Sequence, residues 1–471
     1  MNNLIRGDKT VKKFVKKAWP FAVVASLAVT SVATWNFTRS SEVNADENGS
    51  NAKIKNVIVL IGDGMGPSYM TAHRYMKDNP KTFEMESTEF DKHLVGTQKT
   101  YPEDEHENIT DSASAATAMS AGIKTYNAAI AVDNDKAEVK TVLEQAKEKG
   151  KSTGLVATSE ITHATPAAFG AHDISRKNMD AIANDYFDEK IKGKHKVDVM
   201  LGGGVKNFVR KDRNLTEEFK KSGYSYVTDR DQLLNDKNDQ ILGLFAPGGL
   251  DKMIDRNEKT PSLEEMTNAA IERLNKNKNG FFLMVEGSQI DWAGHDNDIV
   301  GAMSEMEDFE KAFKAAIEFA KKDKNTLVVA TADHATGGLS LGANGEYNFK
   351  VEPIKAAKRT PDFMANEIAK GANVEETLKK YIDLQLTPEE IQAVNDIAPS
   401  KDVTKIDNAI EDIFNKRSVT GWTTGGHTGE DVNVYAFGPG KYLFSGVQEN
   451  TNIAKRVFDI VGGGDPNKGR R

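Results

Sequence analysis

The sequence contains no cysteine, so no disulfide can staple the chain and no thiolate can bind a metal. Any transition metal must sit on histidine, aspartate or glutamate. Only nine histidines occur in 471 residues, which makes their placement informative. No Gly-x-Ser-x-Gly elbow surrounds Ser112, which argues against an α/β-hydrolase arrangement of that serine. Excess positive charge is missing as well. The formal net charge is −8, and residues 1–45 carry seven Lys/Arg against two Asp/Glu, so without them it becomes −13. A body that acidic does not bind nucleic acid or anionic lipid through its general field. No internal repeat is visible. What is present, 38% hydrophobic and 28% charged residues, fits a soluble globular protein with a large buried core and room for two or three domains.

The start of the chain differs in kind. Arg6, Lys9, Lys12, Lys13, Lys16 and Lys17 form a basic region, Ala18 to Thr34 is apolar, and Val43-Asn44-Ala45 offers a small-x-small cleavage pattern. This reads as an export signal over residues 1–45, with a secreted or cell-envelope location for residues 46–471. The alternative is an uncleaved anchor, because Ala18 to Phe37 is nearly long enough to span a bilayer; membrane association is expected only in that case.

Apolar β-branched runs alternate with helical patterns, the signature of crossover units in a largely parallel sheet. The runs are Val57 to Ile61, Thr153 to Ala157, Val197 to Leu201, Phe281 to Val285, Leu327 to Thr331 and Val432 to Phe437. Helices are expected over Val139 to Lys149, stopped by Gly150, after the capping box Ser262-Leu263-Glu264-Glu265, and over Ile299 to Lys321. The expected architecture is α/β: a three-layer sandwich around a large, mostly parallel central sheet.

Three of these runs end in acids: Gly62-Asp63-Gly64-Met65, Glu286-Gly287 and Ala332-Asp333-His334. Ligands of open parallel sheets bind beyond the carboxyl ends of the strands, so these residues reach one edge of the molecule. Asp291 and His295 stand four apart, on one face of a helical turn with metal-ligand spacing. His427 lies in the glycine-rich Gly425-Gly426-His427-Thr428-Gly429. Each element alone has an ordinary structural reading as a surface hydrogen bond, a strand-end turn or an exposed histidine. Together they point to a shared polynuclear site. In Thr110-Asp111-Ser112-Ala113-Ser114-Ala115-Ala116 a serine opens a run of small helix formers, at a helix N-terminus where an anion is favoured. Its bland reading is a helix N-cap.

In order and residue type these segments, with Thr162-His163-Ala164-Thr165-Pro166 through Ser175-Arg176-Lys177, resemble the bacterial alkaline phosphatases from Asp63 to His427. The resemblance implies one zinc on Asp291, His295 and His427, and a second on Asp63, Asp333 and His334 that also takes the Ser112 oxygen. It implies a third, magnesium-type site on Glu286 and Thr165 with Asp63 bridging. Ser112 is then the nucleophile that becomes a phosphoserine, and Arg176 the clamp on the phosphoryl oxygens. The implied activity is broad hydrolysis of small phosphate monoesters for phosphate scavenging. With the three divalent ions and Arg176 counted, the pocket is net positive inside an acidic protein, which attracts a dianionic ester.

Two positions depart from the best-known bacterial pattern. His163 stands where an aspartate helps hold the magnesium water shell, and Trp292 where a lysine reaches phosphate through water. Both, with Asp111, are candidate supporting residues, and both bear on the metal identity of the third site. The segment 337–421 is longer than the resemblance leads one to expect; it carries a capping box at Thr387-Pro388-Glu389-Glu390 and reads as an inserted helical subdomain serving as a lid or homodimer element. The glycine-rich tail 462–471 is expected to be disordered. The nearest competing activity is a phosphodiesterase or phosphonate-monoester hydrolase, and the competitor from another class is a non-catalytic phosphate or metal carrier.

Overall fold

The computed structural model describes residues 54–470; the expected export signal over 1–45 lies outside them. A ten-stranded sheet is built from β1 (Asn56–Gly62), β2 (Leu94–Lys99), β3 (Ser152–Glu160), β4 (Val199–Gly203), β5 (Ser225–Val227), β6 (Ile241–Leu244), β7 (Phe281–Gly287), β8 (Thr326–Ala332), β9 (Val432–Phe437) and β10 (Gly446–Glu449), in the order β10-β2-β9-β8-β1-β7-β3-β4-β6-β5. From β8 through β5 every pairing is parallel. The run at Val432–Phe437 is a strand, but it pairs antiparallel with both β8 and β2.

The central strands are buried on both faces, which is why they read as continuous apolar runs rather than alternating ones. On one face Ile58, Leu60, Leu283, Val285, Val328 and Ala330 share a core with Met266 and Leu274 of the helix Leu263–Leu274 and with Phe309 and Phe313 of the helix Ile299–Asp323. On the other face Val57, Val59, Ile61, Phe282, Met284 and Val329 pack against Ala116 and Met119 of α1 (Ser112–Ala121), with Leu143, Ala168 and Val457. Helix, sheet and helix therefore form the three expected layers.

The capping boxes at Ser262 and Thr387 close as expected, and a third, Thr141 with Glu144, opens the helix Val142–Glu148. Gly150 follows that helix at φ +75°, the left-handed position glycine fills at helix ends. The segment 337–421 is mainly helical, with Pro361–Ala369, Val374–Tyr381, Pro388–Ile397 and Val403–Ser418. Its two ends pair with each other, Ser340 with Gly421 and Leu341 with Thr420. Its apolar residues, among them Met364, Leu378, Ile410 and Phe414, join the core of the first sheet face.

The tail corrects the sequence reading. Asn467 is buried, and its amide donates to the carbonyls of Ala121 and Lys140 at 2.8 Å, while Arg470 reaches the Glu138 carbonyl at 2.9 Å. Side-chain hydrogen bonds to backbone hold a segment that composition alone marks as structureless. Among the described residues, no helix is long and apolar enough to cross a membrane.

Candidate metal centre

Strand register assembles the first part of the site. Gly62 of β1 pairs with Ala332 of β8 and with Gly287 of β7, and Ile61 pairs with Glu286. One step beyond those pairs, Asp63 and Asp333 leave adjacent strands side by side, with Glu286 next to them. All three are fully buried. The turn after Asp63 needs glycine. Gly64 has φ +71°, and a Cβ there would stand 2.7 Å from the Asp291 Cα. Its N–H donates to Asp333 Oδ1 at 3.1 Å, as does that of His334 at 2.9 Å. Asp333 Oδ2 remains without a hydrogen bond, 3.2 Å from His334 Nε2.

Directly after β7, α2 (Gln289–Asp296) carries Asp291 and His295. The Asp291 Oδ2 to His295 Nε2 distance is 3.3 Å, so the i,i+4 pair does share a face. A two-residue ladder, Ala335–Thr336 against His427–Thr428, brings His427 across from the far end of the chain, and the His427 ring stacks on that of His334 with centroids 3.6 Å apart.

The imidazole hydrogen bonds decide what this arrangement wants. His295 Nδ1 lies 2.7 Å from the Gly425 carbonyl and His427 Nδ1 2.8 Å from the Thr110 carbonyl. A carbonyl only accepts, so both protons sit on Nδ1 and both Nε2 lone pairs face inward. Those nitrogens are 3.2 Å apart, and His427 Nε2 is 3.6 Å from Asp291 Oδ1. Two lone pairs and a carboxylate converging on one point repel unless a cation lies between them. With protein groups alone a proton fills that role: the bond to Asp291 pushes His295 up to about 9. Burial would raise the Asp291 carboxyl, but His295, His334 and His427 hold it below the usual carboxylate range.

At the neighbouring point His334 Nε2 faces Asp63 Oδ1 at 3.4 Å and the Ser112 hydroxyl at 3.2 Å. Burial, then the His427 ring, hold His334 well below its ordinary value, so it stays neutral. Burial and the charges of Asp333, Asp291 and Glu286 push the Asp63 carboxyl far up, and burial lifts Glu286 to about 7. Both Asp63 oxygens, Glu286 Oε1 and Thr165 Oγ1 are buried without a hydrogen-bond partner. Orphaned carboxylates in a dry site are costly, and divalent cations are the groups that satisfy them. Three donor sets each lie within 4.8 Å: Asp291, His295 and His427; Asp63, Asp333 and His334; and Asp63, His163 and Glu286. The donors thus fit metal ions, imidazole-containing at the first two points.

Ser112 is the first residue of α1, not its cap. Asp111 is the cap, accepting from the Ser114 N–H at 2.9 Å, so the Ser112 hydroxyl is left for the site. The second Asp111 oxygen accepts from Arg176 Nη1 and from the Ala128 N–H, each at 3.0 Å. Burial would raise Asp111, but Arg176 and these N–H groups outweigh it and keep the carboxylate charged. Arg176 Nη2 also donates to His163 Nε2 at 3.1 Å. Burial and the guanidinium press His163 down to about 4, so a neutral imidazole sits beside the arginine. The edge of Trp292 meets the His163 ring with centroids 5.7 Å apart.

The residues anticipated from sequence, Asp63, Ser112, Glu286, Asp291, His295, Asp333, His334 and His427, with Thr165, His163, Trp292, Asp111 and Arg176 around them, gather in one region. Sequence reading missed Thr336. Its hydroxyl donates to Asp291 Oδ1 at 2.5 Å and lies 3.3 Å from His334 Nδ1, linking the two ligand sets. Its position two residues after His334 was the only signal.

Comparison with known proteins fits this geometry. The alkaline phosphatase family model matches residues 54–462. The chain belongs to the alkaline phosphatase family. It is 68% identical over 454 residues to alkaline phosphatase 3 of Bacillus subtilis, covering 96% of this chain and 98% of that protein. A cold-active alkaline phosphatase from Shewanella sp. superposes with a TM-score of 0.81 at 41% identity, over 87% of this chain and all of the other. A histidine-to-aspartate variant of the alkaline phosphatase from the Antarctic bacterium TAB5, solved with Mg bound in the M3 site, is 32% identical with a TM-score of 0.63, over 87% of this chain and 98% of that one. The enzyme is thus a phosphoric monoester hydrolase of a metal-dependent family.

Proposed function

We propose that the enzyme hydrolyses a broad range of small phosphate monoesters through a covalent phosphoserine on Ser112, outside the cell, to release phosphate. The observation that carries this reading is the gathering of inward Nε2 lone pairs and unpartnered carboxylate oxygens in one region with Ser112, whose hydroxyl lies 3.2 Å from His334 Nε2. In it Asp291, His295 and His427 hold one zinc, Asp63, Asp333 and His334 a second, and Glu286, Thr165 and Asp63 a magnesium-type ion. When bound, such ions supply Lewis acidity that lowers the pKa of the serine hydroxyl and neutralises charge on the transferring group. Ser112 Oγ attacks phosphorus as the ester oxygen leaves, so one P–O bond forms and one breaks. Arg176, aligned by Asp111 and His163, offers its N–H fork to the equatorial oxygens. The N-terminal dipole of α1 favours negative charge on the phosphoserine. Water then cleaves the P–O bond and returns the serine.

His163 positions Arg176, because its Nε2 is committed to the guanidinium. A histidine-to-aspartate variant of the TAB5 enzyme holds Mg in its M3 site, which supports a link between a histidine near the third site and the metal taken there. The export reading of residues 1–45, the subdomain reading of 337–421 and a homodimer built through it belong to the same proposal. Monoester over diester preference rests on the Glu286 and Thr165 pair. Rapid-quench labelling with a radioactive monoester tests the mechanism: Ser112→Ala should form no acid-stable phosphoenzyme. A normal burst in that variant refutes the serine assignment.

A further inference from the structure

A second group of metal-type donors lies outside the catalytic set. Glu138 precedes the helix Val142–Glu148, His172 follows Ala164–Gly170, and Glu189 caps the end of Met179–Asp188. One ligand atom from each lies within 4.8 Å of the others. The His172 side chain is 5% exposed. Its Nε2 lies 3.1 Å from the Val139 carbonyl, an acceptor, so the proton is on Nε2 and the lone pair on Nδ1. That buried Nδ1 has no hydrogen-bond partner, and Glu189 Oε2 is 3.8 Å away, too far to bond it. An imidazole that gives its far N–H to a backbone carbonyl and aims its bare nitrogen at carboxylates has the outer-shell pattern of a metal ligand.

Charge supports the same reading. Glu189, Asp185 and Glu144 lie 2.6, 3.2 and 3.9 Å from the single ammonium of Lys196. With Glu138 there are four carboxylates against the Lys196 ammonium and the His172 ring, and a divalent ion on that ring would remove much of the excess. We propose that Glu138, His172 and Glu189 bind a divalent cation of borderline softness, such as zinc or manganese, distinct from the catalytic ions. The site fixes the base of the loop that carries Arg176, four residues beyond His172, whose N–H is bonded to the Ala128 carbonyl at 2.8 Å.

The test is metal counting on the full-length enzyme after dialysis against metal-free buffer, for the parent, Glu138→Gln and His172→Gln. Glu138 is exposed, so its change leaves the core intact if the buried His172 variant folds poorly. Each variant should hold about one divalent equivalent fewer per chain, because losing one of three protein ligands exceeds the roughly 10–100-fold affinity loss of outer-shell changes. Glu138→Gln should keep the parent's far-ultraviolet circular dichroism spectrum, which separates loss of the ion from loss of the fold. Equal metal content in parent and Glu138→Gln overturns the proposal and leaves a proton on His172 Nδ1 as the occupant.

Discussion

Removing the metals should make stability depend on pH in a direction fixed by the buried acids. With protein groups alone, burial lifts Glu286 from 4.5 to about 7 and Asp333 from 3.8 to about 6. Both folded values lie above the unfolded ones, so the folded state binds more protons than the unfolded one in that window. Stability of the stripped protein is therefore fully present below the unfolded values and is lost as pH rises through the folded ones. A shift of about two and a half units at Glu286 corresponds to about 3 kcal/mol; the neighbouring Asp333 titrates with it, so the pair is counted as one step. In the metal-loaded enzyme cations replace those protons and the step is absent. The assay is urea unfolding of stripped and loaded enzyme at matched pH. The gap between the two curves cancels acids common to both states and should widen by about 3 kcal/mol between about pH 5 and pH 8. Stripped Glu286→Gln, which cannot ionise at that position, should show a visibly smaller slope. A gap that stays constant or narrows with rising pH would refute the assignment of these carboxylates to a cation site.

Thr336→Val removes the donor to Asp291 and the partner of His334 Nδ1; metal affinity should fall by roughly 10–100-fold, read by chelator competition. Asp111→Asn keeps an acceptor for the Ser114 N–H but loses the charged partner of Arg176. KM should rise roughly 10-fold, the worth of one charge-assisted bond, with little change in helix stability. Gly64→Ala must place a methyl 2.7 Å from the Asp291 Cα at φ +71°, so both metal content and thermal stability should drop, by at least about 1–3 kcal/mol for the strain. Wild-type stability in that variant would show that the turn can relax.

Side-chain chemistry at strand ends was legible in the sequence because two periodicities meet there. An apolar run buried on both faces gives way abruptly to Gly-Asp-Gly or Asp-His, and parallel register then places Asp63 beside Asp333. Contributions made by backbone were not legible. The Gly425 and Thr110 carbonyls that fix the tautomers of His295 and His427 have no residue-type signature, and the cap role of Asp111 emerged only from the Ser114 N–H bond. β2 was missed because Leu-Val-Gly-Thr-Gln-Lys neither alternates nor stays apolar, as suits a strand near the sheet edge. The tail was misread because its anchors, Asn467 and Arg470, bond to carbonyls rather than to a patterned apolar face.

The same distinction explains how an acidic protein can build a site for an anion. Four buried carboxylates around Ser112 would repel a phosphate ester, and with protein groups alone protons offset that charge at Asp63 and Glu286. Among the imidazoles, His295 takes a second proton on Nε2 beside Asp291, while His334 is held neutral by burial; the Nδ1 protons of His295 and His427 stay committed to carbonyls. The fixed tautomers therefore keep nitrogen lone pairs available for cations at the point where the acids need them. In the proposed function substrate charge is met by divalent ions and Arg176, while the acidic surface leaves long-range attraction to polyanions weak. In the proposed function that separation favours small monoesters over nucleic acid, and raising ionic strength should change kcat/KM for a small ester only modestly.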